Sequence, residues 1–302
     1  MIHGILNVYK EKGYTSHDVV ARLRKITKQK KIGHTGTLDP DAVGVLPVCL
    51  GKATKLCELL TDKDKTYETV LLLGKETDTQ DISGKVLAEQ RTEDLTEKEI
   101  KEAVLSFVGG YEQIPPMYSA LKVNGKKLYE LAREGKVIER KARPVTIYDI
   151  RILSVDIPRV RMSVTCSKGT YIRTLCYDIG RKLGCGGCME ELIRSRVSRF
   201  LLEDSMTLEE IEHKMQDGTL EESAVSVDAM FEDCPKAVVT EDGESMARNG
   251  NVLPVDAVET WENVSDGTNI RLYDKEGHFI ALYKWQEREA GYHLVKMFFP
   301  EK

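Results

Sequence analysis

A short segment rich in glycine and proline constrains the fold of this chain more than any other part of its sequence. The segment reads Gly33-His34-Thr35-Gly36-Thr37-Leu38-Asp39-Pro40. Proline fixes its own φ angle and pushes the preceding residue out of the helical region, so Asp39 is confined to an extended or turn conformation. Glycine permits backbone angles, or a close approach by a large ligand, that other residues resist. The segment therefore predicts a tight turn that presents one rigidly held carboxylate.

Basic residues lead into this turn and suggest a polyanionic partner. Between residues 20 and 35 there are no acids, and the bases are Arg22, Arg24, Lys25, Lys28, Lys30 and Lys31. A second basic run, at residues 122–143, has eight bases against three acids. The net charge of −5 does not exclude such a partner, because eleven acids are concentrated in residues 203–233 and phosphate binding depends on the local patch. A basic run alone is also typical of a solvated face.

Length and composition favour a globular protein of one large domain or two ordinary ones. The 302 residues contain no apolar run near the roughly 20 residues that span a bilayer, and the first residues lack a signal-peptide pattern. We therefore expect a cytoplasmic protein without a membrane partner. Seven cysteines in such a chain indicate reduced thiols. The lone pair Cys185 and Cys188 lacks the further ligands of a structural zinc site, so no metal is predicted.

Hydrophobic periodicity and capping signals predict a chain of mixed helices and strands. Ser16 is predicted to cap a helix that carries the first basic run, and the pairs Thr96/Glu99 and Thr207/Glu210 predict two further helix starts. A strand over residues 160–166 runs through a turn into a helix, which places Arg173 near the helix N-terminus. Beyond Pro235, short β-like runs, the last at residues 293–299, alternate with turns such as Asp242-Gly243 and predict a small β domain.

The usual cofactor and hydrolase motifs are missing from the sequence. There is no dinucleotide-binding, zinc-protease or nucleophile-elbow motif. Gly51-Lys52-Ala53-Thr54 is similar to the end of a phosphate-binding loop, but the glycine required upstream is replaced by Leu46. A protein that handles a polyanion with this sequence either only binds it or uses chemistry that needs side chains alone. We therefore predict no cofactor.

Five blocks of the sequence resemble the TruB family, the tRNA pseudouridine-55 synthases. They lie at residues 33–55, 65–81, 115–122, 143–145 and 166–175, and the resemblance is dense over residues 1 to about 200. Residues 236–302 are similar, more weakly, to the PUA-type RNA-binding module that ends many of these enzymes. Related enzymes that depend on a guide RNA share the catalytic blocks, and the sequence gives no direct test of whether a guide or protein partners are needed. The bacterial-type spacing of the blocks favours a stand-alone enzyme.

The resemblance implies a fold, a domain order and a reaction. The fold would be α+β, with a mixed, largely antiparallel sheet flanked by helices in the catalytic domain and a small β-barrel-like PUA-type domain. The catalytic domain would span residues 1–232, with an RNA-clamping insertion at about 111–143, and the second domain residues 236–302. The protein would be a monomer that isomerises uridine 55 in the T-loop of tRNA, without a cofactor, after flipping the base out of its stack.

The resemblance also assigns roles to individual residues. Asp39 would be the catalytic carboxylate, Arg173 its ion-pair partner, and Tyr67 the ring that stacks on the flipped uracil. His34 would occupy the space that the base leaves. The remaining substrate-binding residues would be Gly36, Thr37, Lys55, Lys126, Lys127 and Arg143.

Three functions stay open at the level of sequence. The first is the isomerase, the second a non-catalytic RNA-binding or RNA-folding protein, and the third a glycosylase that releases uracil. A pure binding protein needs no aspartate beside a basic helix, and a glycosylase must deliver a water molecule. The sequence leaves open whether Asp39 attacks C1′, attacks C6 or removes a ribose proton.

Overall fold

The computed structural model describes residues 1–123, 125–260 and 264–298. In chain order the strands are β1 (Gly4–Lys10), β2 (Ile32–His34), β3 (Val43–Leu50), β4 (Lys65–Leu73), β5 (Lys75–Thr77), β6 (Val86–Glu89), β7 (Gly109–Gln113), β8 (Lys122–Val123), β9 (Lys126–Lys127), β10 (Arg143–Asp156), β11 (Arg159–Cys166), β12 (Gly187–Val197), β13 (Phe200–Leu201), β14 (Lys236–Val239), β15 (Leu253–Pro254), β16 (Val258–Thr260), β17 (Asn269–Tyr273), β18 (Phe279–Gln286) and β19 (Gly291–Met297). The helices are α1 (Ser16–Thr27), α2 (Cys57–Thr61), α3 (Glu97–Leu105), α4 (Leu128–Arg133), α5 (Ile172–Lys182), α6 (Leu208–Gln216) and α7 (Glu241–Arg248). Within the described ranges, none of these helices has the length and apolar character needed to cross a membrane.

A nine-stranded sheet forms the larger part of the molecule. Its order is β1-β3-β12-β4-β11-β10-β7, with β2 beside β3 and β13 beside β12. Neighbouring strands run antiparallel except β12 and β3, which are parallel. The predicted mixed, largely antiparallel sheet flanked by helices is therefore confirmed.

The neighbours of β3 determine where the glycine- and proline-rich segment lies. β1 pairs with β3 along its whole length on one side. On the other side, β2 pairs with the end of β3 and β12 with its beginning. The chain between β2 and β3 therefore crosses the place where β12 joins the sheet, and this loop carries Asp39.

Two hydrophobic cores hold the helices against the sheet. One core contains the buried residues of α1 and α6 together with apolar side chains of β1, β2 and β3. The other contains the buried residues of α3 and α5 together with side chains of β4, β10 and β11. Three apolar side chains of α5, those of Leu175, Cys176 and Ile179, are fully buried. This packing fixes the N-terminal end of α5, and with it Arg173, against the sheet.

A second sheet, of six strands, lies in the C-terminal part of the chain. Its order is β15-β19-β18-β17-β14-β16. The two edge strands, β15 and β16, are joined by the single short 3₁₀ helix Val255–Ala257, so the sheet is barrel-like and nearly closed. Phe298 and Leu282 of this region share a hydrophobic cluster with Ile5 and Val45 of the first sheet. The domain limits at residues 232 and 236 stay predictions, and residues 299–302 lie outside the described residues.

Three local expectations differ from the structure. Ser16 does not cap α1; Thr15 does, because its side chain accepts a hydrogen bond from the Asp18 amide while Asp18 bonds back to Thr15. Asp242-Gly243 is not a turn but lies in α7, where the cap at Thr240 starts a helix. The last predicted run, at residues 293–299, is a strand with other bounds: β19 begins at Gly291 and ends at Met297, and Phe299 lies outside the described residues.

The capping boxes predicted at α3 and α6 are both formed. For α6, we expect Thr207→Ala to lower the free energy of unfolding by about 1 kcal/mol, because the Glu210 amide loses its acceptor. Thr219 precedes a 3₁₀ helix without a side-chain capping bond, so Thr219→Ala is the matched control. Urea unfolding followed by circular dichroism measures both variants. Equal midpoints would contradict the assigned role of Thr207.

Candidate active site

The loop between β2 and β3 is held in place by a buried lysine. Lys10, at the end of β1, is fully buried, and its Nζ donates hydrogen bonds to the carbonyl oxygens of Pro40 at 3.0 Å and Ala42 at 2.6 Å. Burial lowers the pKa of Lys10 to about 8. From the side of α1, the Ser16 hydroxyl accepts a hydrogen bond of 2.9 Å from the Leu38 amide. Both neighbours of Asp39 in sequence are therefore anchored through their backbone.

A buried arginine supports the start of the same loop. Arg194 of β12 is 1% exposed; its Nε donates to the Val45 carbonyl at 2.7 Å and its Nη2 to the Gly36 carbonyl at 3.3 Å. Gly36 has φ of +143°, a backbone conformation that residues with side chains rarely adopt, so a side chain there would be strained. The positive charge of Arg194 also acts on Tyr67, where it lowers the pKa of the hydroxyl against the effect of burial. Tyr67 is thereby connected to the loop that carries Asp39.

An arginine between two aspartates forms the centre of the site. Arg173, the second residue of α5, is buried, and its Nη2 lies 3.1 Å from Oδ1 and 3.0 Å from Oδ2 of Asp39. Its Nη1 lies 3.6 Å from Oδ2 of Asp81. The ion pair predicted between positions 39 and 173 is thus present, with one guanidinium nitrogen contacting both carboxylate oxygens. The other terminal nitrogen is turned to a second carboxylate.

The environment of Asp39 is asymmetric. Its side chain is 41% exposed, whereas that of Arg173 behind it is only 7% exposed. Burial raises the pKa of the Asp39 carboxyl above its ordinary value; the Arg173 guanidinium lowers this pKa, and the Asp81 carboxylate raises it. The site thus presents one carboxylate, open on one side, whose ionisation depends on the cation behind it.

His34 lies at the end of β2, close to a second histidine. Its ring meets that of His17 edge to face, with centroids 5.8 Å apart, and its Nδ1 accepts a hydrogen bond of 3.3 Å from the Gly36 amide. Burial is the largest cause that lowers the pKa of His34, followed by the nearby His17 and Arg194. A neutral imidazole, able to stack on a ring, is therefore favoured at this position.

The other predicted substrate-binding residues lie outside this network. Lys55 is half-buried in the 3₁₀ helix Gly51–Leu56, and Thr37 is exposed in the loop. Lys126 and Lys127 form the short strand β9 before α4, where Lys126 lies 3.6 Å from Glu134 and Lys127 donates to the Tyr129 hydroxyl at 3.3 Å. None of these residues contacts Asp39 or Arg173 in the part of the chain that the structure describes.

Arg143 is connected to the site indirectly. It opens β10, opposite Gln113, and its charge acts on Tyr171. The Tyr171 ring lies 6.0 Å from the Arg173 guanidinium carbon. Arg143 therefore lies near the start of α5, which forms one side of the site.

The sequence interpretation gave no role to four residues that build this site: Lys10, His17, Asp81 and Arg194. Asp81 belonged to a resembling block, but nothing in its spacing indicated a contact with Arg173. Lys10 and Arg194 stand in strands, where a cation normally predicts an exposed side chain. Side chains that could together ligate a metal ion occur, among the described residues, at Asp274, Glu276 and His278 in the β17–β18 hairpin and not around Asp39.

Comparison with known proteins gives the same family over nearly the whole chain. Residues 24–172 match the model of the TruB family pseudouridylate synthase N-terminal domain, and residues 173–238 match that of the tRNA pseudouridylate synthase B C-terminal domain. The chain is 57% identical to tRNA pseudouridine synthase B of Lachnoclostridium phytofermentans, over 98% of this chain and 100% of that protein. It is 45% identical to the protein of that name from Clostridium acetobutylicum, over 97% and 99%.

Solved structures show the same architecture. A structure titled as an H/ACA RNP bound to a substrate RNA containing 2′-deoxyuridine matches with a TM-score of 0.73 and 26% identity, covering 99% of this chain and 86% of that one. A crystal structure of a Cbf5-Nop10-Gar1 complex matches with a TM-score of 0.73 and 28% identity, covering 99% and 85%.

The two neighbours of Asp39 should shift its pKa in opposite directions. Arg173→Gln removes a cation, which destabilises the carboxylate, so we expect the pKa of Asp39 to rise further. Asp81→Asn removes a like charge, so we expect this pKa to fall. A ¹³C-NMR titration of the Asp39 carboxyl measures both changes. Arg159→Gln, which disrupts the pair of Arg159 with Glu190, is the control, and a shift of the same sign in both test variants would contradict the assignment.

Proposed function

This chain belongs to the TruB family of pseudouridylate synthases, and we propose that it isomerises the uridine at position 55 in the T-loop of tRNA, with Asp39 as its catalytic carboxylate. The near full-length match to proteins named tRNA pseudouridine synthase B identifies it as an isomerase that converts uridine to pseudouridine in tRNA. The position within tRNA and the roles of single residues are the proposal. The residue roles are supported by the geometry around Asp39, and the position within tRNA by the resemblance to the family.

The observation that carries the proposal is the placement of Asp39. A carboxylate that is 41% exposed has a buried guanidinium 3.0 Å behind it, and its loop is anchored by hydrogen bonds to backbone groups on both sides. A buried cation is strongly unfavourable unless it has an opposite partner, and an aspartate that only shaped a turn would not require such a cation beside it. Arg173 is therefore best explained as the group that keeps Asp39 ionised and oriented toward a ligand.

The reaction needs such an anion. The N1–C1′ bond of uridine breaks, the base turns, a C1′–C5 bond forms, C5 loses its proton and N1 gains one. No atom is gained or lost and nothing is oxidised, so side chains suffice for the chemistry. Attack at C1′, attack at C6 and removal of a ribose proton all require an ionised carboxylate. Arg173 favours that state against the effect of burial.

Tyr67 and His34 are suited to hold a base that has left its stack. Tyr67 is buried, and burial raises its pKa, so its neutral ring provides a stacking face and its hydroxyl a proton donor or acceptor close to Asp39. The neutral imidazole of His34 can stack in the space that the base vacates. Flipping the base costs a few kcal/mol, which such contacts offset.

We infer that tRNA is held by the basic insertion at residues 111–143 and by the C-terminal sheet. Lys126, Lys127 and Arg143 belong to the insertion, and none of them is needed for the network around Asp39. We assign phosphate contacts to these cations. The proposed monomer would take one tRNA at one site.

The direct test is the release of tritium from tRNA whose uridines carry tritium at C5. The wild-type protein should release tritium to solvent without free uracil. We expect Asp39→Asn to slow release by at least about a hundredfold, the scale of losing a group that acts in the transition state, while tRNA affinity changes less than about tenfold.

Asp41→Asn is the matched control, because Asp41 is an exposed aspartate two residues along the same loop. Its release rate should stay near that of the wild type. Binding of tRNA without tritium release would favour the binding protein, and free uracil would favour the glycosylase. Either result would contradict the proposed isomerisation.

Charge removal in the insertion should weaken tRNA binding through lost phosphate contacts. We expect Lys126→Ala/Lys127→Ala to reduce the slope of log affinity against log salt by about 1.4–1.8, which corresponds to two contacts. Lys98→Ala/Lys101→Ala on α3 removes two exposed lysines elsewhere and should leave the slope unchanged. Filter binding over a salt series measures both variants. An unchanged slope in the first would place the contact surface elsewhere.

A further inference from the structure

The basic residues that precede β2 have no role in the site described above. Within this run, Arg22 is paired, since its guanidinium lies 2.7 Å from Glu212 of α6. The other five are exposed and form no ion pair with an acidic side chain of the described residues: Arg24, Lys25, Lys28, Lys30 and Lys31. This surface therefore carries a local positive charge that the fold leaves uncompensated.

Three of these cations surround one concavity. An open cavity of about 390 Å³ is lined by Arg24, Lys28, Gln29 and Lys30. It is formed because α1 ends at Thr27 and the chain reverses through Lys28, which has φ of 52°. That left-handed position usually holds glycine or asparagine, so a lysine there is unusual. The turn places cations from the helix and from the following loop on the same concavity.

The concavity is built on fixed groups. Gln29 is only 7% exposed, and its side chain accepts a hydrogen bond of 2.8 Å from the Ile2 amide and donates one of 3.0 Å to the Ile2 carbonyl. Arg24 donates to the Ile32 carbonyl at 3.3 Å. The turn is thus fastened to the starts of both β1 and β2. Its backbone does not have to be ordered when a ligand arrives.

The helix dipole alone does not account for these cations. Lysine and arginine in the last turn of a helix are favoured by the partial negative charge of its C-terminus. That argument covers Arg24 and Lys25, but Lys30 and Lys31 lie beyond the helix. An anion is the ligand that such a surface attracts.

We propose that this concavity, lined by Arg24, Lys28 and Lys30, binds a backbone phosphate of the RNA substrate at a point distant from the uridine that reacts. β2 begins two residues after Lys30 and ends at His34, so Lys30 lies about 13 Å along the chain from His34 at the rim of the site. An RNA strand whose base enters beside His34 would carry neighbouring phosphates over such distances. The inference rests on the proposed function, because it takes RNA as the substrate.

The test compares two double variants in tRNA binding over a salt series. Lys28→Gln/Lys30→Gln removes two charges from the concavity; Arg91→Gln/Lys98→Gln removes two exposed charges from the start of α3 and the chain before it. For the first we expect an affinity about tenfold or more lower near 0.1 M salt, a salt slope smaller by about 1.4–1.8, and an unchanged tritium-release rate at saturating tRNA. The second should match the wild type in all three quantities.

Other results would overturn the inference. If Lys28→Gln/Lys30→Gln keeps the affinity and slope of the control variant while the wild type releases tritium, the phosphate site is wrong and the proposed function stands. If calorimetry shows that the variant loses binding of inorganic phosphate but keeps its tRNA affinity, the concavity serves a free anion instead. If the wild type releases no tritium, the proposed function fails, and the tRNA affinities still report on the concavity.

Discussion

The pairing of Arg173 with Asp39 is the interaction on which the site depends. A guanidinium that is only 7% exposed, in the first turn of a helix, is disfavoured both by loss of water, at several kcal/mol, and by the helix dipole. Two carboxylates, at 3.0 and 3.6 Å, offset this cost, and the Arg173 Nε remains buried without a hydrogen-bond partner among the described residues. The positions of α5 and of the loop that carries Asp39 therefore depend on each other.

Other buried cations of the site differ from Arg173 in their partners. Lys10, Lys65 and Arg194 donate to backbone carbonyl oxygens. Carbonyl dipoles stabilise a cation without adding a full negative charge to the cleft. Each such bond also fixes a stretch of backbone, so the loop is held without carboxylates that would raise the pKa of Asp39 further. Asp39 and Asp81 are left as the anions that face Arg173.

The amphipathic elements of the fold and the central ion pair could be predicted from sequence, but the supporting network could not. The capping boxes of α3 and α6 follow from local spacing, and the block resemblance gave the partner of Asp39. Lys10 gave no such signal, because β1 is buried on both faces and its alternation is lost. Gly243 was misread as a turn because its role is long-range: a Cβ there would lie 2.8 Å from the Ala257 carbonyl oxygen, so glycine permits α7 to approach that segment.

Charge segregation reconciles an acidic protein with a polyanionic substrate. The acidic segment contributes α6, which packs beside α1, and there Glu212 neutralises Arg22. Arg24 of α1 and the turn that follows α1 have no acidic partner among the described residues. Paired and unpaired bases are therefore separated along α1. Since exposed charges interact over only about 10 Å at 0.1 M salt, the attraction that a phosphate feels at Lys28 and Lys30 depends on the charges close to them. The net charge of the chain therefore does not indicate what this surface binds. The absence of acidic partners for its cations, among the described residues, is the better guide.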